Sequence, residues 1–326
     1  MSSIYRTTLP AFCLSLMLPM ALPAMADDAA KQPATEKAAE QPKVERQPLL
    51  ERSQEDALAL ERQLPQDEQQ QLQAGSDSFL ALWKPANSSN AAGAVVIIPG
   101  TGETADWPNA IAPIRNRLPD ANWHSLSISL PDLSADAPQA RVEEKPPAPK
   151  EADSKATPPA NPSVEQATAT EPDKAPPQSA DELAKADAER IFARIDAAVT
   201  FAQQQKSRTV VLLGHGTGAY WAARYLKERP QPHAQRLVMV APMTPTNASQ
   251  SLQELAPTLK VPTADIFYND TGAAQDAAKA RLQASKRLKD TGYTQVSLNA
   301  MPGDKASEQE QLFRRVRGWL SPKPVD

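Results

Sequence analysis

The sequence predicts an α/β fold: a mostly parallel sheet with helices on both faces, interrupted by a proline-rich insertion. Three observations predict it. Short, wholly apolar runs such as Ala94-Val95-Val96-Ile97-Ile98 end in Pro-Gly or Gly turns, the pattern of strands buried on both faces. Helix-period segments alternate with these runs, which builds parallel strands with crossover helices. The 32 prolines, against 11 glycines, crowd into a few stretches and not into the runs.

In chain order, residues 1–26 read as a signal peptide. Arg6 supplies the positive start, an apolar run spans 9–22, and Ala24-Met25-Ala26 offers small residues for cleavage ahead of Asp27. The run is short for a membrane span and carries Pro10 and Pro19, so no span is expected after cleavage, and the mature protein is expected in the periplasm. Residues 27–48 are Ala, Lys, Glu, Gln and Pro with almost no large apolar side chains, a composition that cannot offset chain entropy; they predict a disordered tether. Residues 49–133 and 179–322 form the two parts of one domain. Residues 134–178, with Pro146-Pro147, Pro158-Pro159 and Pro176-Pro177, predict the disordered insertion between them.

Within the first part, residues 49–73 are polar and helix-prone, with Pro65 restarting a second short helix. Strands are predicted at 79–83, 94–98 and 126–130, and a helix at 108–118. The second part opens with a helix over 179–205, whose Asp187, Ile191, Ile195 and Val199 recur every four residues. Strands follow at 209–213, 237–240, 264–268 and 294–298, and helices at 219–228, around 283–288 and at 307–320.

Composition excludes several functions. The formal net charge of -4 leaves no basic footprint for nucleic acid. Cys13, the single cysteine, lies in the apolar leader after Phe12, not after the small residue a lipoprotein needs. The mature chain therefore has no disulfide or thiol nucleophile. With three histidines and no cysteine in the mature chain, no metal site is expected, and no cofactor is expected either.

The strongest local signal is Val210-Val211-Leu212-Leu213-Gly214-His215-Gly216-Thr217-Gly218-Ala219. A buried strand enters a glycine-rich turn and a helix leaves it, the setting of the G-x-S-x-G nucleophile elbow. Gly214 and Gly218 take the outer positions, where strand and helix approach closely. Gly216 stands where the serine would be; glycine tolerates the strained backbone of that position but brings no hydroxyl. A second turn, Gly100-Thr101-Gly102 after Ile98-Pro99, is either an ordinary tight turn or a loop whose glycines bring backbone N–H groups close to a ligand oxygen, the oxyanion role this loop has in α/β-hydrolases.

These motifs resemble the α/β-hydrolase superfamily over about residues 49–320. More narrowly, the chain resembles a Gram-negative envelope family known only as a domain of unknown function. Phe79-Leu80-Ala81-Leu82-Trp83, Asp106-Trp107-Pro108, Ile114-Arg115, Trp123, Leu130-Pro131 and the two glycine turns carry that likeness. The resemblance implies the fold and export, and it maps triad roles onto positions. The nucleophile falls on Gly216. The acid falls on Asp270, just past a strand, where it would orient a histidine. The histidine belongs in 299–307, which reads Asn-Ala-Met-Pro-Gly-Asp-Lys-Ala-Ser and has none. His124 and His233 precede their strands, at the edge opposite the site, and His215 is expected to pack behind the elbow. Thr217 has a hydroxyl but no evident base.

The reading is a protein without hydrolase catalysis that binds a small molecule or an envelope partner. Two alternatives stay open. One is a weak ester or acyl hydrolase using Thr217, or a water with Asp270 or Asp304. The other is a structural adaptor connected through its proline-rich stretches.

Overall fold

The computed structural model describes residues 50–134, 179–230, 232–289 and 292–321. All of them fall in one compact unit, Leu49–Asp326. The predicted leader, tether and insertion lie outside the described residues, apart from Ser134.

The chain enters through helix α1 (Arg52–Gln63), and a 3-10 turn at Gln66–Glu68 follows Pro65. Gln69–Ala74 then forms strand β1, not the end of a helical region. Its glutamines read as helix formers, but a two-residue turn through Gly75, at φ +64°, folds the chain back into β2 (Asp77–Lys84). That antiparallel pairing sets Leu72 opposite Phe79 and buries both, and the pairing overrides local propensity. Next come β3 (Gly93–Ile98), α2 (Ile111–Arg117) and β4 (Trp123–Ile128). The helix is shorter than the sequence predicts, and β4 begins three residues earlier, so that His124 lies inside the strand.

After residues 135–178 come α3 (Ala180–Gln204), β5 (Val210–His215), α4 (Thr217–Glu228) and β6 (Ala234–Val240). The short α5 (Leu252–Leu255), which the sequence reading lacks, leads to β7 (Thr263–Tyr268), α6 (Gly272–Arg287), β8 (Tyr293–Leu298) and α7 (Lys305–Leu320).

The eight strands form one sheet in the order β1-β2-β4-β3-β5-β6-β7-β8. From β4 to β8 every pairing is parallel, and β1 and β2 add antiparallel partners at one edge. Strands from both sides of residues 135–178 share the sheet, because β3 lies between β4 and β5. Alternation along each strand feeds two cores. Ala94, Val96 and Ile98 face α3, α4 and α5, whereas Val95 and Ile97 face α2 and α7.

Local chemistry starts and stops these elements. Ser179 caps α3: its hydroxyl accepts from the Glu182 N–H, and the Glu182 carboxylate accepts from the Ser179 N–H at 2.9 Å. Ile191, Phe192, Ile195 and Val199 then bury the apolar face of the helix. Asp187, on the same face, is also buried and accepts from both the N–H and the hydroxyl of Ser134 at 2.8 Å, which fixes the chain end beyond β4. Among the described residues no helix is long and apolar enough to cross a membrane.

Candidate functional site

The carboxyl ends of β3, β4 and β5 converge on two glycine turns. In the elbow, Gly216 has φ +54° and ψ −124°, a region nearly closed to residues with a side chain. Its N–H donates to the Val240 carbonyl at 3.0 Å, and its own carbonyl accepts from the Met243 N–H at 3.0 Å. The end of β6 therefore clamps the turn. A Cβ placed on Gly216 would meet only the Gly100 Cα, at 3.9 Å. The outer glycines differ. A Cβ on Gly214 would lie 2.4 Å from the Ala219 backbone, and one on Gly218 would lie 2.3 Å from the Ile98 carbonyl oxygen. Those two are held by close approach of strand and helix, as the motif predicts.

The Gly100-Thr101-Gly102 turn meets the elbow directly. The Thr101 N–H donates to the Thr217 hydroxyl at 2.7 Å, and the two threonine hydroxyls stand 3.0 Å apart. The Gly100 N–H donates to the Glu103 carboxylate at 2.7 Å. Two backbone donors of an oxyanion-type loop are thus engaged by the chain's own side chains. Gly102, at φ +80°, lies beneath the Arg52 guanidinium of α1.

Glu103, which belongs to neither sequence motif, joins the two turns. It also pairs with His215 Nδ1 at 2.7 Å, and both side chains are largely buried. His215 ends β5, and its ring meets Glu103 after the glycine loop, where the sequence places it packing behind the elbow. A carboxylate directly after Gly102, at the end of the glycine turn, is the local sequence signal for this contact.

The β7–β8 side holds the other mapped positions. Asp270 lies two residues past β7 on an exposed turn. Burial pushes the nearby Tyr268 hydroxyl up to about 12, and the Glu308 and Asp270 carboxylates add to that. Asp304 caps α7. It accepts from the Ser307 N–H at 3.0 Å, and its hydrogen bonds to Ser307 hold its carboxyl below the usual range. The remaining histidines lie at the opposite ends of their strands. His124 accepts from the Ala86 N–H at 2.9 Å through Nδ1 and stacks on Trp83, while His233 immediately precedes β6. The structure thus brings together Gly100, Thr101, His215, Gly216 and Thr217 but supplies no histidine to Asp270.

The cleft beside the glycine loop runs between α1 and the segment after β4, with Ile191 and Trp221 among its lining residues. Its cavity volume is about 30 Å³, on the order of one water. Behind the loop, Arg115 is buried and bonds Asp106 at 2.8 Å and Glu68 at 2.6 Å. Burial alone would raise the Glu68 carboxyl, but Lys84 and Arg115 outweigh it and the group is held below its ordinary value. These charges tie the residues that follow the glycine turn to α2 and to the start of β1. Among the described residues no group of three or more His, Cys, Asp or Glu side chains is placed to hold a metal ion.

The comparisons agree with this architecture. Esterase Pf2001 of Pyrococcus furiosus superposes with a TM-score of 0.50 at 12% identity, covering 79% of this chain and 94% of its own. Est1E of Butyrivibrio proteoclasticus gives 0.50 at 10% identity, covering 78% and 100%. At such identities the likeness shows a common α/β-hydrolase fold and nothing about chemistry. No curated protein matches the sequence. The model of the DUF3530 family, proteins of unknown function, matches residues 9–322, and the chain belongs to that family.

Proposed function

We propose that this protein is an exported α/β-hydrolase-fold protein that acts by binding, without hydrolytic chemistry. The observation that carries the reading is the pairing at the elbow. Gly216 occupies the nucleophile position, and the Thr101 N–H that would face an oxyanion is bonded to Thr217. Acyl transfer needs a nucleophile, a base and free donors at one point. Here the nucleophile position has no side chain, and Asp304 serves as a helix cap. The narrow cleft favours recognition of an envelope partner at the surface over a deeply enclosed ligand. Export rests on the leader in residues 1–26, whose cleavage would leave Asp27 as the first residue, in the periplasm. Terminal sequencing of the protein recovered from a periplasmic extract checks that point.

One observation favours a second reading. The His215–Glu103 pair has the form of a base held by a carboxylate. With Thr217 or a water as nucleophile it would give a slow hydrolase. A panel of simple esters separates the two readings. The binding reading expects rates equal to buffer. Turnover that disappears in Thr217→Ala, His215→Ala or Asp270→Ala would support the hydrolase.

A further inference from the structure

Helix α1 covers the glycine loop yet is weakly seated. None of its side chains is fully buried. Ala57, Leu60 and the following Leu64 rest on Leu80, Leu82 and Ala105, which are themselves shielded from solvent. Charges hold the N-terminal end of the helix. Asp132, just after β4, accepts from the Ser53 N–H at 3.0 Å and pairs with Arg52 at 3.5 Å. Arg190 of α3 pairs with Glu51 at 3.1 Å and donates to the Asp132 carbonyl at 3.2 Å. The Ser53 hydroxyl is buried under the helix with no hydrogen-bond partner among the described residues. Arg52, over half exposed, is the residue that overhangs Gly102.

We propose that α1 is a releasable cover over the Gly100–Gly102 turn, closed by an ionic latch centred on Asp132. Exposed ion pairs are individually weak and are screened by salt. A helix held by such pairs and by a few half-buried aliphatic side chains opens before the core does. Lifting it would uncover Leu80, Leu82 and Ala105 next to Thr101 and Glu103. The narrow cleft would become an apolar groove ending at the glycine turns. Access to the loop is then set by charge at Asp132. This holds whether the core binds or catalyses.

Hydrogen exchange on the full chain, read by mass spectrometry, tests the cover. In Asp132→Asn, peptides from α1 and from residues 99–105 should exchange roughly tenfold faster, while peptides from β5 and α7 keep their rates. Raising salt from about 0.05 to about 0.5 M on the unaltered protein should move the same two regions in the same direction. The salt series decides by itself if the variant fails to fold. Equal exchange of α1 under all these conditions would overturn the proposal. So would opening of α1 only in step with β5. Ester turnover reads the catalytic question separately.

Discussion

Two sides of the sheet's carboxyl edge invite comparison. On the β3–β5 side, Gly214 and Gly218 are fixed by backbone atoms less than 2.5 Å from where a Cβ would sit, and Glu103 binds both turns. On the β7–β8 side, the positions of a triad acid and histidine fall on Asp270, in an exposed turn, and on a segment whose one acid, Asp304, caps a helix. The first side has the frame of a hydrolase site without its hydroxyl. The second has neither the histidine nor a contact that would need one. Packing constrains the frame, because strand and helix cannot approach without those glycines. Nothing in the packing constrains the chemistry. A fold can therefore hold the shape of an elbow around a residue that has no side chain.

The largest effect that would sharpen this contrast is at the outer glycines. Gly218→Ala places a methyl against the Ile98 and Pro99 carbonyls, and the backbone has to move. We expect a loss of about 3 kcal/mol or more, read as a lower urea midpoint, or failure to fold. A silent Gly218→Ala would break the steric account of the frame.

Carboxylates on the β7–β8 side give the next contrast. Asp265, wholly buried in β7, accepts from Arg281, Tyr293 and Gln295. Burial raises the Tyr293 hydroxyl well above its ordinary value, and the Asp265 charge adds to it. Asp265→Ala strands a buried guanidinium and should cost on the order of 3–5 kcal/mol. Asp270→Ala, five residues on, should leave thermal unfolding almost unchanged. Equal effects would mean that Asp270 has a structural partner.

Gly216→Ser comes third. Space is open, but φ +54° is costly for serine, so the expected loss is about 1–3 kcal/mol by denaturant titration. Ester turnover should not appear with it, because residues 299–307, where the triad histidine belongs, contain none. A smaller effect depends on pH. The folded carboxyl of Glu68 is held below its unfolded value of 4.5, so its contribution to stability is complete above that value. The contribution is lost as pH falls through the lower folded value. Urea midpoints should therefore drop from about pH 5 downward, and Glu68→Gln should flatten that part of the profile. The smallest change expected is from deleting residues 135–178 and joining the ends with a short Gly/Ser linker. That sequence has no periodic apolar face, and loop closure depends weakly on length. Melting within a few degrees of the parent would support the domain boundaries.

Much of the fold is legible in the sequence because its central strands carry wholly apolar runs. Val95 to Ile98 and Val210 to Leu213 have no alternative reading as surface segments, and the glycine turns mark where they end. Strand β1 is not legible: Gln69-Gln70-Gln71 has no strand signal of its own and becomes a strand by pairing with β2. Helix α5 is four residues long and leaves no periodicity. At the site, the missing serine and histidine are plain from single positions. The Glu103–His215 and Thr101–Thr217 contacts join residues more than a hundred positions apart, and no local pattern encodes them. The Asp132 latch on α1 is hidden in the same way, by a separation of 79 positions from Ser53.

The central claim is that the elbow holds no nucleophile, and fluorophosphonate labelling of the unaltered protein, read by intact mass and peptide mapping, tests it most directly. Gly216→Ser and its double variant with His215→Ala serve as comparisons. The account predicts no adduct on the unaltered chain, and at most slow labelling at position 216 in the serine variant. A stoichiometric adduct on Thr217 or Thr101 of the unaltered protein would contradict it and would place a working base, His215 held by Glu103, at the elbow.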